Sequence, residues 1–276
     1  MQTSRQSGVM ANVKEAQNPQ LRPSERAAVL RICLLGPISI EIDGAPVIVA
    51  SRKARALLGY LVQREGVESA RDILTGLLWG ERGEAQARAS LRQTLSELRG
   101  ALAGAPQSLI AANNETVGWV SGTAYIDTRV VNQAVKSADE NALREAAGII
   151  RGEFLEGLSI NEPAFEQWLT SEREKFRLQA CAINTKLMEH SESRGDFEEA
   201  LGHGLKLVSF DPLQEHAHRA VMRIYAAQGR PDAALSQFER LKRELSTQLG
   251  VQPDPQTAEL ARSIKAQRRE GPARSV

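Results

Sequence analysis

Residues 188–207 read Met188-Glu-His-Ser-Glu-Ser-Arg-Gly195-Asp-Phe-Glu-Glu-Ala200-Leu201-Gly-His-Gly-Leu-Lys-Leu207, and residues 222–241 read Met222-Arg-Ile-Tyr-Ala-Ala-Gln-Gly229-Arg-Pro-Asp-Ala-Ala234-Leu235-Ser-Gln-Phe-Glu-Arg-Leu241. At an offset of 34 the two stretches match at Met188 and Met222, Gly195 and Gly229, Ala200 and Ala234, Leu201 and Leu235, and Leu207 and Leu241. Leu187 and Glu198 meet the similar Val221 and Asp232 at the same offset. The glycines suit a turn between two helices, and the alanines let paired helices approach closely. The large residues then stack one hairpin on the next.

A helix–turn–helix unit repeated every 34 residues has tetratricopeptide spacing. Working outward, residues 128–136, 141–151 and 164–192 all space their apolar residues by three and four, so the whole second half reads as helical. Pro163 stands at the start of the longest segment, where the missing N–H costs nothing. Leu249-Gly-Val-Gln-Pro-Asp-Pro breaks the last long helix, and residues 256–267 form a further short helix that caps the array.

The first half has a different grammar. Arg31-Ile-Cys-Leu-Leu is a short apolar strand stopped by Gly36-Pro37. Ile38, Ile40 and Ile42 alternate with Ser39 and Glu41, Asp43-Gly44 turns the chain, and Val47-Ile48-Val49 returns as a strand. Ser51 is placed to cap a first helix carrying Ala54, Leu57, Leu58 and Leu61. Ser69 and Asp72 have the spacing of a capping box for a second helix, whose apolar face is Ile73, Leu74, Leu77 and Leu78 and which Trp79 closes. A third helix over residues 85–103 collects Leu91, Leu95, Leu98 and Leu102 on one narrow arc. Arg88, Arg92 and Arg99 fall within about 40° of one another on its flank, and Gln93 and Ser96 continue round to the far side. Residues 109–120 read as a hairpin turned at Asn113-Asn114; it holds no Lys or Arg, and Glu115 sits near its tip. A sheet, three helices and a hairpin in this order form a winged helix-turn-helix, with the third helix as reader and the hairpin as wing. The fold class expected is therefore an α+β winged helix-turn-helix followed by an all-α tetratricopeptide-like repeat domain.

Composition narrows the function. The chain has 276 residues, 35 Lys+Arg against 34 Asp+Glu, and a net charge of +1, so any affinity for nucleic acid is local. Residues 31–104 carry ten Lys/Arg against eight acids. Taken alone, those residues leave DNA binding and a pure protein-interaction scaffold both open. Aromatics at 4 % argue against a stacking platform for single strands. No run of about 18 apolar residues is present, and the polar N-terminus has no signal core, so the chain is expected in the cytoplasm. Cys33 and Cys181 are too few for a zinc site. His216 and His218 are two apart and point to different faces of a helix, and no P-loop, GxSxG or HExxH pattern occurs. No enzyme, metal or cofactor is expected.

The order of these pieces resembles the bacterial SARP transcriptional regulators, which join an OmpR-like winged helix to a bacterial transcriptional activator domain of tetratricopeptide-like helices. Arg52-Lys-Ala-Arg-Ala-Leu-Leu-Gly-Tyr-Leu is similar to the family's first helix, and Arg88-Ala-Ser-Leu-Arg-Gln-Thr-Leu-Ser-Glu-Leu-Arg to its recognition helix. Gly152-Glu-Phe-Leu-Glu-Gly-Leu, Trp168-Leu-Thr-Ser-Glu-Arg-Glu, Gly195-Asp-Phe-Glu-Glu-Ala-Leu and Leu249-Gly-Val-Gln-Pro-Asp-Pro resemble the activator domain. The resemblance implies binding to double-stranded promoter DNA and recruitment of RNA polymerase. It puts Arg88, Arg92, Ser96 and Arg99 at the DNA, with Gln93 added by its exposed position. Affinity would come from two copies bound side by side. Residues 81–84, between the second and third helices, are a candidate polymerase contact. The expected division is a flexible tail over 1–30, the winged helix over 31–124, the activator domain over 125–268 and a flexible basic tail over 269–276. On that division a fragment ending near Thr123 keeps every DNA-binding element and is expected to bind the operator, less tightly than the full chain, without stimulating transcription.

Overall fold

The computed structural model describes residues 30–105, 108–122 and 124–270. The N-terminal tail expected over 1–30 lies outside the described residues apart from Leu30, as do 271–276 of the expected C-terminal tail.

Strands β1 (Leu30–Cys33), β2 (Ser39–Ile42) and β3 (Ala45–Pro46) form an antiparallel meander. Asp43 and Gly44, both at positive φ, make the tight turn that the Asp-Gly pair foretells. The return strand is shorter than the sequence suggests. Val47 donates one further bond to Ile40 O, and the chain then leaves the sheet with Ile48 84 % exposed. Helix α1 (Arg52–Gln63) follows, capped as expected by Ser51 Oγ, which accepts from Ala54 N at 3.2 Å.

The capping box expected at Ser69 and Asp72 does not form. Ser69 belongs to β4 (Ser69–Ala70), pairs with Val117, and buries a hydroxyl with no partner among the described residues. Ala70 is the N-cap of α2 (Arg71–Trp79), so pairing with the wing has taken the residue that would have capped the helix. Helix α3 (Glu84–Ala101) buries Leu91, Leu95 and Leu98, as its spacing requires. The wing is β5 (Ile110–Ala112) and β6 (Thr116–Trp119), and β4 makes it a three-stranded sheet in the order β4-β6-β5.

Strand β7 (Tyr125–Ile126) turns back and pairs in parallel with β1, completing a sheet of order β3-β2-β1-β7. Asp127 follows at once. Its carboxylate, 1 % exposed, accepts from Leu34 N, Leu35 N and Thr128 N at 2.8–2.9 Å, ending the β1 strand by satisfying backbone donors that no strand reaches. Burial pushes this carboxyl above its usual range, against the pull of those hydrogen bonds.

The helical half comprises α4 (Asp127–Ala134), α5 (Glu140–Ile149), α6 (Pro163–Ser193), α7 (Phe197–Phe210), α8 (Glu215–Ala227), α9 (Pro231–Leu249) and α10 (Pro255–Glu270). Its 34-residue period is exact in the backbone. Gly195 and Gly229 both sit at positive φ, 75° and 70°. One residue on, Asp196 N and Arg230 N donate to Ser191 O and Tyr225 O, closing α6 and α8 with the same left-handed cap. Ala200 and Ala234 are fully buried, and α10 lies on α8 and α9 as a terminal cap.

One core runs without a break from Leu30 to Leu187, and two smaller clusters continue it into the repeats. The loop between α5 and α6 ties the halves together: Gly36 N donates to Glu153 O and Leu155 N to Leu34 O, both at 2.8 Å. Gly59 lets α1 come down on that loop, since a Cβ there would lie 2.8 Å from Leu155 Cδ1. Among the described residues no helix is long and apolar enough to cross a membrane.

Candidate nucleic-acid interface

The leucine seam fixes how α3 is rolled. With Leu91, Leu95 and Leu98 turned into the core, Arg88, Arg92, Gln93, Ser96 and Arg99 are all exposed. No bulky apolar side chain stands among them; the exposed Ala89 lies beside Arg92 on the outward face.

The wing is aimed by local chemistry. Asn113 Oδ1 accepts from Glu115 N and Thr116 N at 2.7 Å each, folding the tip into an Asx turn. Arg71, the first residue of α2, then holds that tip twice: its backbone N donates to Glu115 O and its Nε to Asn113 O, both at 2.8 Å. The result is a cleft of about 560 Å³ between α3 and the wing, lined by Arg71, Asp72, Arg88, Arg92, Asn114 and Glu115 among others.

The five expected residues are not all brought to this cleft. Arg88 and Arg92 line it. Arg99 lies at the other end of α3 with its guanidinium near Ile110 O, at the root of the wing, and Gln93 and Ser96 face outward from the helix. The two cleft arginines also differ. Arg92 makes no ion pair or hydrogen bond among the described residues, whereas Arg88 Nη2 lies 2.8 Å from Glu84 Oε1 and 3.2 Å from Asp72 Oδ1. Sequence reasoning missed Arg71 and misassigned Asp72 to a cap. The signal that would have found them is β4, and a two-residue strand has no period to read. Of the candidate polymerase contact at residues 81–84, 81–83 form the exposed turn between α2 and α3, where Arg82 Nη1 donates to Ser90 Oγ at 3.0 Å, while Glu84 is already the first residue of α3. Among the described residues no group of three or more His, Cys, Asp or Glu side chains is arranged to hold a metal ion.

Behind this face the turn between α2 and α3 is held by the helical half. Glu162, just before α6, is 7 % exposed; its Oε1 meets Lys53 Nζ at 2.6 Å and its Oε2 accepts from Gly80 N at 3.1 Å. Lys53 also donates to Leu78 O, one of the last carbonyls of α2.

The family model for the bacterial transcriptional activator domain matches residues 127–265, half of the chain. The chain belongs to that family. Its curated relatives in the bacterial transcriptional activator domain family include regulatory protein AfsR of Streptomyces coelicolor, 29 % identical over 251 residues, covering 87 % of this chain and 24 % of AfsR. The transcriptional regulatory proteins MoaR1 and EmbR of Mycobacterium tuberculosis are 24 % and 27 % identical, covering 87 % and 80 % of this chain and 81 % and 60 % of theirs. The chain thus spans about a quarter of AfsR and most of MoaR1. A structure of M. tuberculosis EmbR, solved in complex with a low-affinity phosphopeptide, superposes with a TM-score of 0.66 at 26 % identity, covering 89 % of this chain and 66 % of that one. These relatives are the SARP regulators that the sequence resembles, and the architecture is the expected one, a winged helix followed by a helical activator domain.

Proposed function

We propose that this protein is a transcriptional regulator that binds double-stranded promoter DNA through α3 and the wing and activates transcription by recruiting RNA polymerase. The observation that carries the reading is the outward stripe Arg88, Arg92, Gln93, Ser96 and Arg99 above a buried leucine seam, beside a wing set across a cleft. A helix of this kind enters a major groove, where arginine reaches guanine edges or phosphates and glutamine reads adenine. The wing, which lacks lysine and arginine, contributes little charge. Tight binding therefore calls for two copies side by side, whose effective concentration raises the affinity of each. The exposed turn at residues 81–83 is free to meet polymerase while α3 is in the groove. Gly80, just before that turn, donates to Glu162 and links it to the activator domain.

Selection from random duplexes followed by footprinting tests this. The expected result is an enriched site, protected as two adjacent half-sites, with affinity falling steeply as salt rises. Purified polymerase should transcribe from that site faster when the protein is present. Failure to enrich any sequence removes the DNA reading and favours an interaction scaffold.

A further inference from the structure

The proposed DNA face carries an internal competitor. Arg88 stands one helical turn into α3, at the end of a recognition helix that enters the groove. Two carboxylates meet it at one atom. Glu84 approaches Nη2 from the preceding turn of the same helix at 2.8 Å, and Asp72 approaches the same nitrogen from α2 at 3.2 Å. A guanidinium makes its two-point contacts along two edges, Nη1 with Nη2 or Nε with Nη2, and both edges include Nη2. With that nitrogen hydrogen-bonded to Asp72 and Glu84 in ion-pair range beside it, any two-point contact with a guanine or a phosphate must compete with these carboxylates. Arg92, on the same cleft, has no such partner among the described residues.

We propose that Asp72, assisted by Glu84, sets the affinity of this face by holding Arg88 out of two-point contact with DNA. This deepens the DNA reading and rests on it. All three side chains keep about half or more of their surface in water, so the pairs are weak and exchangeable. Arg88 can leave them when a target offers a better partner. The two acids also repel phosphate wherever no such partner is offered. The device therefore lowers affinity for any DNA by one cation and leaves that cation as a reserve.

The test is a cycle on the full chain. Wild type, Asp72→Asn, Arg88→Ala and the double variant are titrated against the selected duplex and a random duplex over a range of salt. Asp72→Asn is expected to bind both about threefold to tenfold more tightly at low salt, from the worth of an exposed pair plus the repulsion removed. Its salt dependence should steepen by about one phosphate contact. Arg88→Ala alone should change affinity for the random duplex by less than about twofold, because there its charge is already spent on the acids. In the Asp72→Asn background it should abolish the steepened salt dependence. Glu84→Gln, on a different helix, should act in the same direction as Asp72→Asn and guards against a local folding effect at α2. Unchanged or weaker binding by both acid variants overturns the proposal while leaving the DNA reading intact. So does an Arg88→Ala loss on the random duplex as large as that of Arg92→Ala. Absence of binding by wild type and all variants overturns the DNA reading itself.

Discussion

His218 Nδ1 lies 2.9 Å from Gln237 Nε2, and this buried pair stands 34 residues beyond another: Asn184 Oδ1 and His203 Nδ1, also 2.9 Å apart. Each hairpin of the repeat thus joins its two helices with one amide and one imidazole at the same place, with the two types exchanged between helices. The amide nitrogen of Gln237 can only donate, so His218 Nδ1 accepts. The proton then sits on Nε2, which donates to Pro212 O at 3.1 Å. The second pair is complete only with a neutral ring.

Burial depresses both histidines below their ordinary value. Lys206 and Arg144 push His203 down and Glu199 opposes them; Arg240 pushes His218 down while Pro212 and Glu215 oppose it. A histidine with a lowered folded pKa stays neutral where the unfolded chain already binds a proton. Stability is therefore full above about pH 6.5 and is lost as pH falls toward the folded value. Urea denaturation should show stability falling from about pH 7 to about pH 5, before ordinary carboxylates titrate. A denaturation midpoint that stays level across this window would mean that the two imidazoles are not held neutral by the fold.

How much of this was legible follows from what carries a period. The repeat was, because Gly195 and Gly229, Ala200 and Ala234 fill geometrically equivalent places. The roll of α3 was, because its leucines leave only one orientation. The polar pairs were not, since Asn184 and His218 look unalike until contact shows that they do one job. The wing's attachment through β4, and the role of Asp127, rest on pairings across more than forty residues that no local pattern encodes. The acids on Arg88 were hidden for a related reason: Asp72 read as a capping residue, and the cap gave way to sheet pairing.

Arg92 is the cleanest probe of the proposed recognition helix. It is exposed, lies outside the leucine seam and gives up no internal partner when removed. Arg92→Ala should leave the melting temperature unchanged and weaken binding to the selected duplex by about 1–3 kcal/mol. A folded variant that footprints like wild type would assign the DNA contact to another element.

Glu162 and Lys53 hold the turn between α2 and α3 against the start of α6. Glu162→Ala strands the Lys53 ammonium and the Gly80 N–H together. Losing one partner of a buried pair costs about 3–5 kcal/mol, and less here because Lys53 keeps 24 % of its side chain in water. Lys53→Met combined with Glu162→Leu should recover part of that loss, since paired apolar replacements leave no charge behind. Additive losses in denaturant would show that the two side chains act independently.

A break at residue 124 divides the winged-helix pattern from the helical pattern in sequence, but it cuts through one core. A fragment of residues 30–124 loses the pairing of Ile32 with Ile126 and the carboxylate that satisfies Leu34 N and Leu35 N. It also loses the loop bonds at Gly36 and Leu34 and both carboxylate contacts of Glu162. Ile126, Phe154, Leu155 and Phe165 are each at most 1 % exposed, and their removal uncovers the apolar surfaces they meet. At about 1.5–3 kcal/mol for each large side chain, the loss is comparable with the typical stability of a whole domain, about 5–15 kcal/mol. The fragment near Thr123 is therefore expected to lack a cooperative melt and to bind no site, against the expectation from sequence alone. Residues 30–193 keep the entire first core, which ends at Leu187 inside α6. That longer fragment should melt cooperatively and, on the proposed reading, occupy a half-site more weakly than the full chain does. Circular dichroism melts of the two fragments decide the matter. A sharp transition and site protection by residues 30–124 alone would establish the winged helix as an independent unit and reduce the shared core to a docking contact.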